Sequence, residues 1–500
     1  MNRFLWLLLA FATTIQNAFA FNVDKFMDEN IAPISDAIAK VIFTPIKIAG
    51  QEVPLLILWI LFAGIFFTIY FKGIAIWGFK HAIDVVAKPA DKDNCGEVSS
   101  FQVLATALSG TIGIGSIAGV AISISIGGPG AAFWIFAGAL LGMSIKFVEA
   151  TLAVKYRRFN LDGSVSGGPM HYIAHGLTRK KMRWLGQPLS VLFAILCIGG
   201  GITGGNMIQI NQTAHQIIFI TGGESSIFHG YAWVLGTIAA ILIGLVIMGG
   251  IKGIAKVTTI LTPTMCALYI ISGLIVIFAN FTSIPSALAL IIKEAFHPTA
   301  VAGGFFGVII IGLRRSVQSN EAGTGAAAIV YATAQTKEPI SQGFVALLET
   351  FLTGLLCLFT SFAIIFSGVL AQSEIGKISG IELASNAFQS VIPFFPYVLS
   401  LIAILFALST LISWAYYCQK AWTFLMGEGK KRVLFINILY CVFIVIGSAM
   451  NVTSVINITD AMMIAMCVPN IIVLYILAPD VNRDLKLYCQ KHFAKVKVES

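Results

Sequence analysis

Residues 101–149 read FQVLATALSGTIGIGSIAGVAISISIGGPGAAFWIFAGALLGMSIKFVE. At about 20 apolar residues per membrane crossing, the stretch is long enough for two, joined by a tight GGPG turn. Its first crossing is unusual. Gly110, Gly113, Gly115 and Gly119 crowd its middle, with Ser109, Thr111 and Ser116 among them. Each glycine costs a helix about 1 kcal/mol relative to alanine, so four at mid-membrane fit a helix that opens locally. Unwound backbone at that depth is tolerated only where it is buried in protein or lines a cavity. Broken helices of this kind bind substrate and ion at the bilayer midplane in secondary transporters. Close helix packing through small residues is the other reading that composition allows.

The rest of the chain has the composition of a membrane protein. It is 57% hydrophobic and 11% charged, where soluble domains carry about 25% charged residues. The net charge of +9 then reads as a bias of Lys and Arg toward cytoplasmic loops rather than as a nucleic-acid footprint. The eight cysteines are scattered with no CxxC spacing, which excludes a disulfide framework and a zinc site as organising features.

Residues 1–20, MNRFLWLLLAFATTIQNAFA, have a basic start, an apolar core and a small-x-small end, the pattern of a secretory signal peptide. An uncleaved membrane segment is the alternative. Residues 21–52 are mixed and predict an extracytoplasmic amphipathic helix followed by a loop. Hydropathy then predicts about eleven spans, near 53–72, 100–126, 129–153, 188–219, 231–249, 257–280, 300–318, 341–370, 395–425, 433–450 and 458–477, with 285–296 an interfacial helix and 481–500 a cytoplasmic tail. With residues 22–52 outside, the cytoplasmic loops hold 25 of the 32 Lys and Arg, in accord with the positive-inside rule and a C-terminus in the cytoplasm of a plasma-membrane protein. One leading helix (53–72) plus ten parses as two five-helix repeats, 100–280 and 300–477. Their first helices, 100–126 and 300–318, are both interrupted by glycine, the second by Gly303, Gly304, Gly307 and Gly312.

The run from Thr111, TIGIGSIAGVAISISIGGPGAAFWIFAGALLGMSIKFVEATLAVKYR, resembles the signature of the sodium:alanine symporter family, the alanine/glycine:cation symporters. Further matches follow in order: GGPMHYI at Gly167–Ile173, GGN at Gly204–Asn206, GGIKGIAKVT at Gly249–Thr258 and SNEAGTG at Ser319–Gly325. The likeness covers roughly residues 53–480. It implies an all-α polytopic fold of the LeuT-like 5+5 inverted-repeat kind, with one extra N-terminal helix, within the amino-acid/polyamine/cation transporter superfamily. It further implies sodium-coupled uptake of a small neutral amino acid, alanine or glycine, with sodium as coupling ion and neither an organic cofactor nor a nucleic-acid partner.

Two half-helices that meet at mid-membrane leave free N–H groups and free carbonyls, and their ends carry partial charges of opposite sign. A zwitterion fits such a gap. Its carboxylate would face the N–H groups around Ile114 and Gly115, and its ammonium the carbonyls near Gly303 and Gly304. No strongly charged side chain is expected at that depth in either broken helix. Thr111, Gly113 and Ser116 from the first helix and Phe305 from the second are further candidates to line the site. Trp414 is placed to cap a small substrate, and Asn206 either touches substrate or stitches helices together. The resemblance adds a sodium site built from the hydroxyls of Ser409 and Thr410 and the carbonyls of about Ser109 and Ile112. Without it, those hydroxyls read as bonded back along their own helix.

Lys146 and Glu149 lie at i and i+3 on one helix face and read as a buried pair, structural or proton-relaying. Proton coupling, the rival to sodium, would draw on Lys146, Glu149, Glu349 and Asp460. Arg314 and Arg315 read as the cytoplasmic end of the second broken helix, in an inner gate or at lipid headgroups. A channel would need a continuous polar pore, and an enzyme convergent His, Cys or carboxylates; neither pattern is present. The chain departs from the family wording at Ile114 and Ser116, where the family has Thr and Asn, and at His171, where it has Tyr.

Overall fold

The computed structural model describes residues 37, 40–48, 51–88, 95–160, 163–298, 304–372 and 380–493. The signal-peptide reading and Gly303 lie outside them. In hydrocarbon the backbone has no partner but itself, so long apolar runs become helices. In order these are α1 (Leu55–Tyr70), α2 (Ser100–Thr111), α3 (Ala118–Gly127), α4 (Gly130–Lys155), α5 (Arg183–Ile202), α6 (Ile208–Ile220), α7 (Ala232–Ile247), α8 (Gly250–Ala279), α9 (Ile284–Phe296), α10 (Gly304–Asn320), α11 (Pro339–Ser367), α12 (Phe395–Met426), α13 (Lys430–Ala449) and α14 (Val452–His492).

Among the described residues seven helices are long and apolar enough to cross a membrane, with α5 and α6 forming one of them through a wide π turn at Thr203–Met207. The bent pair α2–α3, kinked by 63°, makes an eighth, and α1 and α7 are shorter apolar helices. Hydropathy predicts eleven spans. The difference lies partly in α10, which is 17 residues long and polar in its second half, RRSVQSN.

Two predicted segments carry regular secondary structure. Within 21–52 a loop is expected, yet Pro45–Ile48 pairs antiparallel with Gln51–Pro54, Ile46 opposite Val53. The expected tail from 481 onward is helical to His492, because Leu485 and Tyr488 continue an apolar face. The Tyr488 hydroxyl and His81 Nε2 share a hydrogen bond of 2.8 Å, and its ring packs on Phe344.

The bundle has two ends. One carries the GGPG turn, where Gly128 sits at φ +65°, a conformation that favours glycine, together with α9 and the start of α14. The other carries Arg157 and the segment 332–336. The α2–α3 span starts at the Arg157 end, where Val98 bridges Ala334. Helix α10 starts at the Gly128 end, against α4 and α9. The two interrupted spans therefore run antiparallel through the middle of the bundle, flanked by the close pair α4 and α11 and by α12.

Candidate functional site

The first interruption falls where the glycines predict it. Helix α2, started by a Ser99–Gln102 capping box, stops at Thr111, and a single 3-10 turn, Ile114–Ser116, precedes α3. Ser116 N–H donates to Gly113 O, which leaves the Ile112 carbonyl without its helical partner. The freed Ile114 N–H donates to Gln209 Oε1 (2.9 Å), while Gln209 Nε2 donates to Gly204 O (3.0 Å) in the π turn. Thr360 donates to Ser116 O (2.9 Å). Gln209 and Thr360 escape the sequence reading because each acts from a helix distant in the chain. The local signal was a run rich in amides, IQINQTAHQ, just past GGN inside a predicted span. Of the predicted lining residues Gly113, Ile114 and Ser116 are buried here and Gly115 is half-buried, its α-carbon facing the Gln318 carbonyl.

The second interruption is not where glycine counting puts it. Helix α10 runs unbroken through Gly307 and Gly312 and ends at Asn320. The chain then turns through Glu321 (φ +55°), Gly323 (φ +90°) and Gly325 (φ +76°), and resumes as the short helix Ala328–Tyr331. Gly304 opens α10, and Phe305 is 36% exposed, its ring on Phe296 and Trp134 near the Gly128 end. Neither is brought to the break. Gly312 serves packing: a Cβ there would lie 2.5 Å from Trp134 Cβ. The break itself is the SNEAGTG segment.

Beside the first break, α12 brings its hydroxyls to α2. Thr410 Oγ1 donates to the Ser109 carbonyl (2.9 Å), and Ser409 Oγ lies 3.5 Å from the same oxygen. Ser109 Oγ meets the Ser409 carbonyl (3.3 Å) and the Ser413 hydroxyl. Ser409 also bonds back to Phe406 O (2.9 Å), as a helical serine often does. All four side chains are buried. This concentrates neutral oxygens at one point, the donor chemistry a hard monovalent cation takes.

Trp414, one turn further along α12, is 1% exposed. Its Nε1 donates to Gly110 O (3.3 Å) at the first break and to Glu321 Oε1 (3.1 Å) at the second. Its ring lies flat on the π turn, where a Cβ on Gly205 would fall 2.1 Å from Trp414 Cγ. Asn206, the other candidate in that turn, donates to Tyr440 O on α13 (2.8 Å), so it stitches helices.

Buried charge also meets here. Lys146 on α4 pairs with Glu349 on α11 (2.7 Å), not with its helix neighbour Glu149. Glu349 further accepts from Thr111 (2.5 Å) and Tyr331 (2.9 Å). Glu149 accepts from Asn470 Nδ2 (2.7 Å), whose amide also donates to Gly323 O in the break (2.8 Å). Glu321, 3% exposed, corrects the expectation that neither break carries a charged side chain.

Both ends of the site are closed. At the Gly128 end Asp460 on α14 meets Arg314 (2.6 Å) and Arg315 (3.7 Å), and Arg315 Nε donates to Ser123 on α3 (3.1 Å). A cavity of 390 Å³ opens outside them. The two arginines thus belong to the end opposite the one expected, because α10 has covered only half the bundle when it reaches them. At the other end the Arg157 guanidinium donates to the carbonyls of Ala332 (3.0 Å), Ala334 (2.6 Å), Cys95 (3.0 Å) and Thr336 (2.6 Å). It ties the strand of chain entering α2 to the one leaving the second break.

Residues 36–500 match the sodium:alanine symporter family. The chain belongs to that family. It is 34% identical to the sodium/alanine symporter AgcS of Methanococcus maripaludis over 87% of this chain and 94% of that one. It is 33% identical to the probable sodium/glutamine symporter GlnT of Bacillus subtilis over 87% and 88% of the two chains. The fold is similar to that of MhsT crystallised with L-phenylalanine, with a TM-score of 0.54 at 14% identity over 76% of this chain and 89% of that one. In this member of the sodium:alanine symporter family, the family's motifs fall on distinct parts of the site: GTIGIGS on the first break, GGN on the π turn under Trp414, SNEAGTG on the second break, and the arginine of VKYR on the carbonyl latch.

Proposed function

We propose that the protein carries a small neutral amino acid, alanine or glycine, into the cell together with sodium by alternating access. The observation that carries this reading is the pair of antiparallel interrupted spans whose freed backbone groups meet beside Trp414, next to the Ser109, Ser409 and Thr410 oxygens. The Ile112 carbonyl, freed at the break, is the fourth oxygen of the sodium site. The substrate carboxylate takes the Ile114 N–H in place of Gln209, and Thr111, Gly113, Gly115 and Ser116 shape the space around it. The names of the relatives, alanine for one and glutamine for another, support an amino acid and sodium as the cargo. The core is then the two repeats 100–280 and 300–477 behind the leading helix α1, with the N-terminus exported and the C-terminus cytoplasmic. Moving one charge down 100 mV provides about 2.3 kcal/mol before the sodium gradient is added.

The test is uptake of labelled alanine, glycine and glutamine by proteoliposomes at fixed membrane potential, with and without an inward sodium gradient. Alanine or glycine uptake that needs the gradient is the expected result. Uptake indifferent to sodium, or confined to glutamine, overturns it.

A further inference from the structure

Four ionisable side chains sit together between α4, α11 and the second break: Lys146, Glu149, Glu321 and Glu349, each at most 3% exposed and within electrostatic reach of the others. Three carboxylates against one ammonium leave two negative charges without a partner if all are ionised. An uncompensated charge buried away from water costs several kcal/mol, and at membrane depth such groups are paired or functional.

The hydrogen bonds say where the missing positive charge goes. Both oxygens of Glu349 are engaged, Oε1 by Lys146 and Thr111 and Oε2 by Tyr331. Glu149 and Glu321 each have one oxygen bonded, to Asn470 Nδ2 and Trp414 Nε1, and each leaves its Oε2 with no hydrogen-bond partner. The bonded oxygen of each acid faces an N–H donor, and the oxygen of the Asn470 amide is taken by the Tyr172 hydroxyl. A metal ion needs a ring of oxygens, whereas a carboxyl beside N–H donors with one open oxygen suits a proton. Among the described residues no group of three His, Cys, Asp or Glu is arranged to hold a metal.

The two acids differ in position. Glu149 lies in mid-helix on α4. Glu321 is itself part of the second break, and the indole N–H it holds also faces Gly110 O at the first. Of the two acids with an open oxygen, Glu321 is the one bonded at the junction of the two breaks. We propose that Glu321 is an exchangeable proton site: it carries a proton before substrate binds and releases it to water as the substrate ammonium arrives. The carboxyl O–H bond breaks, the proton leaves to solvent, and the carboxylate becomes the counter-charge of the ammonium. The substrate arm rests on reading the paired breaks as an amino-acid site. The other charged or titratable groups facing Glu321 are Lys146 and Glu149 from α4, Glu349 from α11, Tyr417 from α12 and Cys197 from α5.

The sign follows from competition. Proton and ammonium exclude each other, so apparent alanine affinity rises with pH, by up to about tenfold per unit while the acid is protonated. The experiment uses full-length protein in lipid, with sodium present. Infrared difference spectra near neutral pH are expected to lose a protonated-carboxyl C=O band when alanine is added. In weak buffer a pH indicator should register about one proton released per alanine bound. Glu321→Gln should abolish the band change, the proton release and the pH dependence, while Glu149→Gln keeps all three. Substrate-free protein should already show a carboxyl band that E321Q lowers, and this arm stands even if alanine is not the cargo. Absence of that band in wild-type protein, or alanine binding with no proton release at any pH at which the protein stays folded, overturns the proposal. So does folded E321Q that releases as many protons as wild type.

Discussion

At the scale of single residues, the site separates oxygens that await a ligand from oxygens already committed. Thr410 spends its hydroxyl on the Ser109 carbonyl of another helix, while Ser409 also satisfies its own helix through Phe406. Thr410→Ala should therefore weaken sodium activation more than Ser409→Ala. A neutral hydrogen bond is worth about 1 kcal/mol, and loss of an ion ligand exceeds that, so at least about a fivefold rise in the sodium concentration for half-maximal uptake is expected for T410A. Sodium activation curves unchanged in both variants would remove these residues from the ion site. Trp414 sets a second limit. Its ring fills the space over Gly205 and its N–H links the two breaks. Trp414→Ala should admit valine-sized substrates and weaken alanine, at about 1–3 kcal/mol for each methylene accommodated. Competition uptake with a panel of amino acids reads this directly, and an unchanged panel counts against a capping role. Thr410 entered only through the family resemblance, since a hydroxyl in an apolar helix otherwise reads as bonded back along that helix, whereas Trp414 drew notice as a bulky ring inside a span. Glu349, by contrast, is 203 residues from Lys146, so the sequence offered Glu149 as the nearer partner and gave no hint of the one used.

At the scale of elements, the difference between the two breaks shows what a sequence can reveal. The first has glycines and little else, and backbone that must leave the helix favours them. In α10 Gly312 reports close packing on Trp134, while the actual break begins at an acid, Glu321, held at positive φ. Composition does not tell these uses apart, and SNEAGTG stood out only as a family match, with nothing in it that marked a break. The latch at the opposite end was equally hidden, since Arg157 binds backbone carbonyls, which leave no trace in side-chain pattern. It has a clear consequence. Four charge-assisted bonds hold 95–98 and 332–336 together, so opening at this end must break them or carry both segments as one body. Charged hydrogen bonds are worth about 1.5–3 kcal/mol each. Arg157→Ala should speed amide hydrogen exchange in both segments by at least about tenfold. Arg157→Lys should recover only part of the protection, because a point ammonium cannot hold four carbonyls in a planar fork. Protection unchanged in R157A would mean that the Val98–Ala334 bridge alone closes this end.

At the scale of the whole molecule, the two closed ends imply two faces of the membrane, and the charge bias predicts which is which. Removing Arg314 and Arg315 from the cytoplasmic count, since both lie with Asp460 at the Gly128 end, still leaves 23 of 32 Lys and Arg on loops at the Arg157 end or assigned to it. Two reporters separate the ends. Lys180, exposed and paired with Asp480, belongs to the Arg157 end. Ile227, 80% exposed, lies in the connection from α6 to α7, which lines a cavity with the first turn of α14 at the Gly128 end. In a background with Cys95, Cys266 and Cys489, the cysteines that are not buried, replaced by serine, Ile227→Cys should react with a membrane-impermeant maleimide on intact cells. Lys180→Cys should react only after permeabilisation. The bias behind this acts at insertion, when Lys and Arg in short loops resist translocation, so it orients the bundle as a unit. Labelling of residue 180 from outside would invert both ends together: the arginine–aspartate contact would then face the cytoplasm and the Arg157 latch the exterior, and sodium-driven uptake would have to enter past the latch.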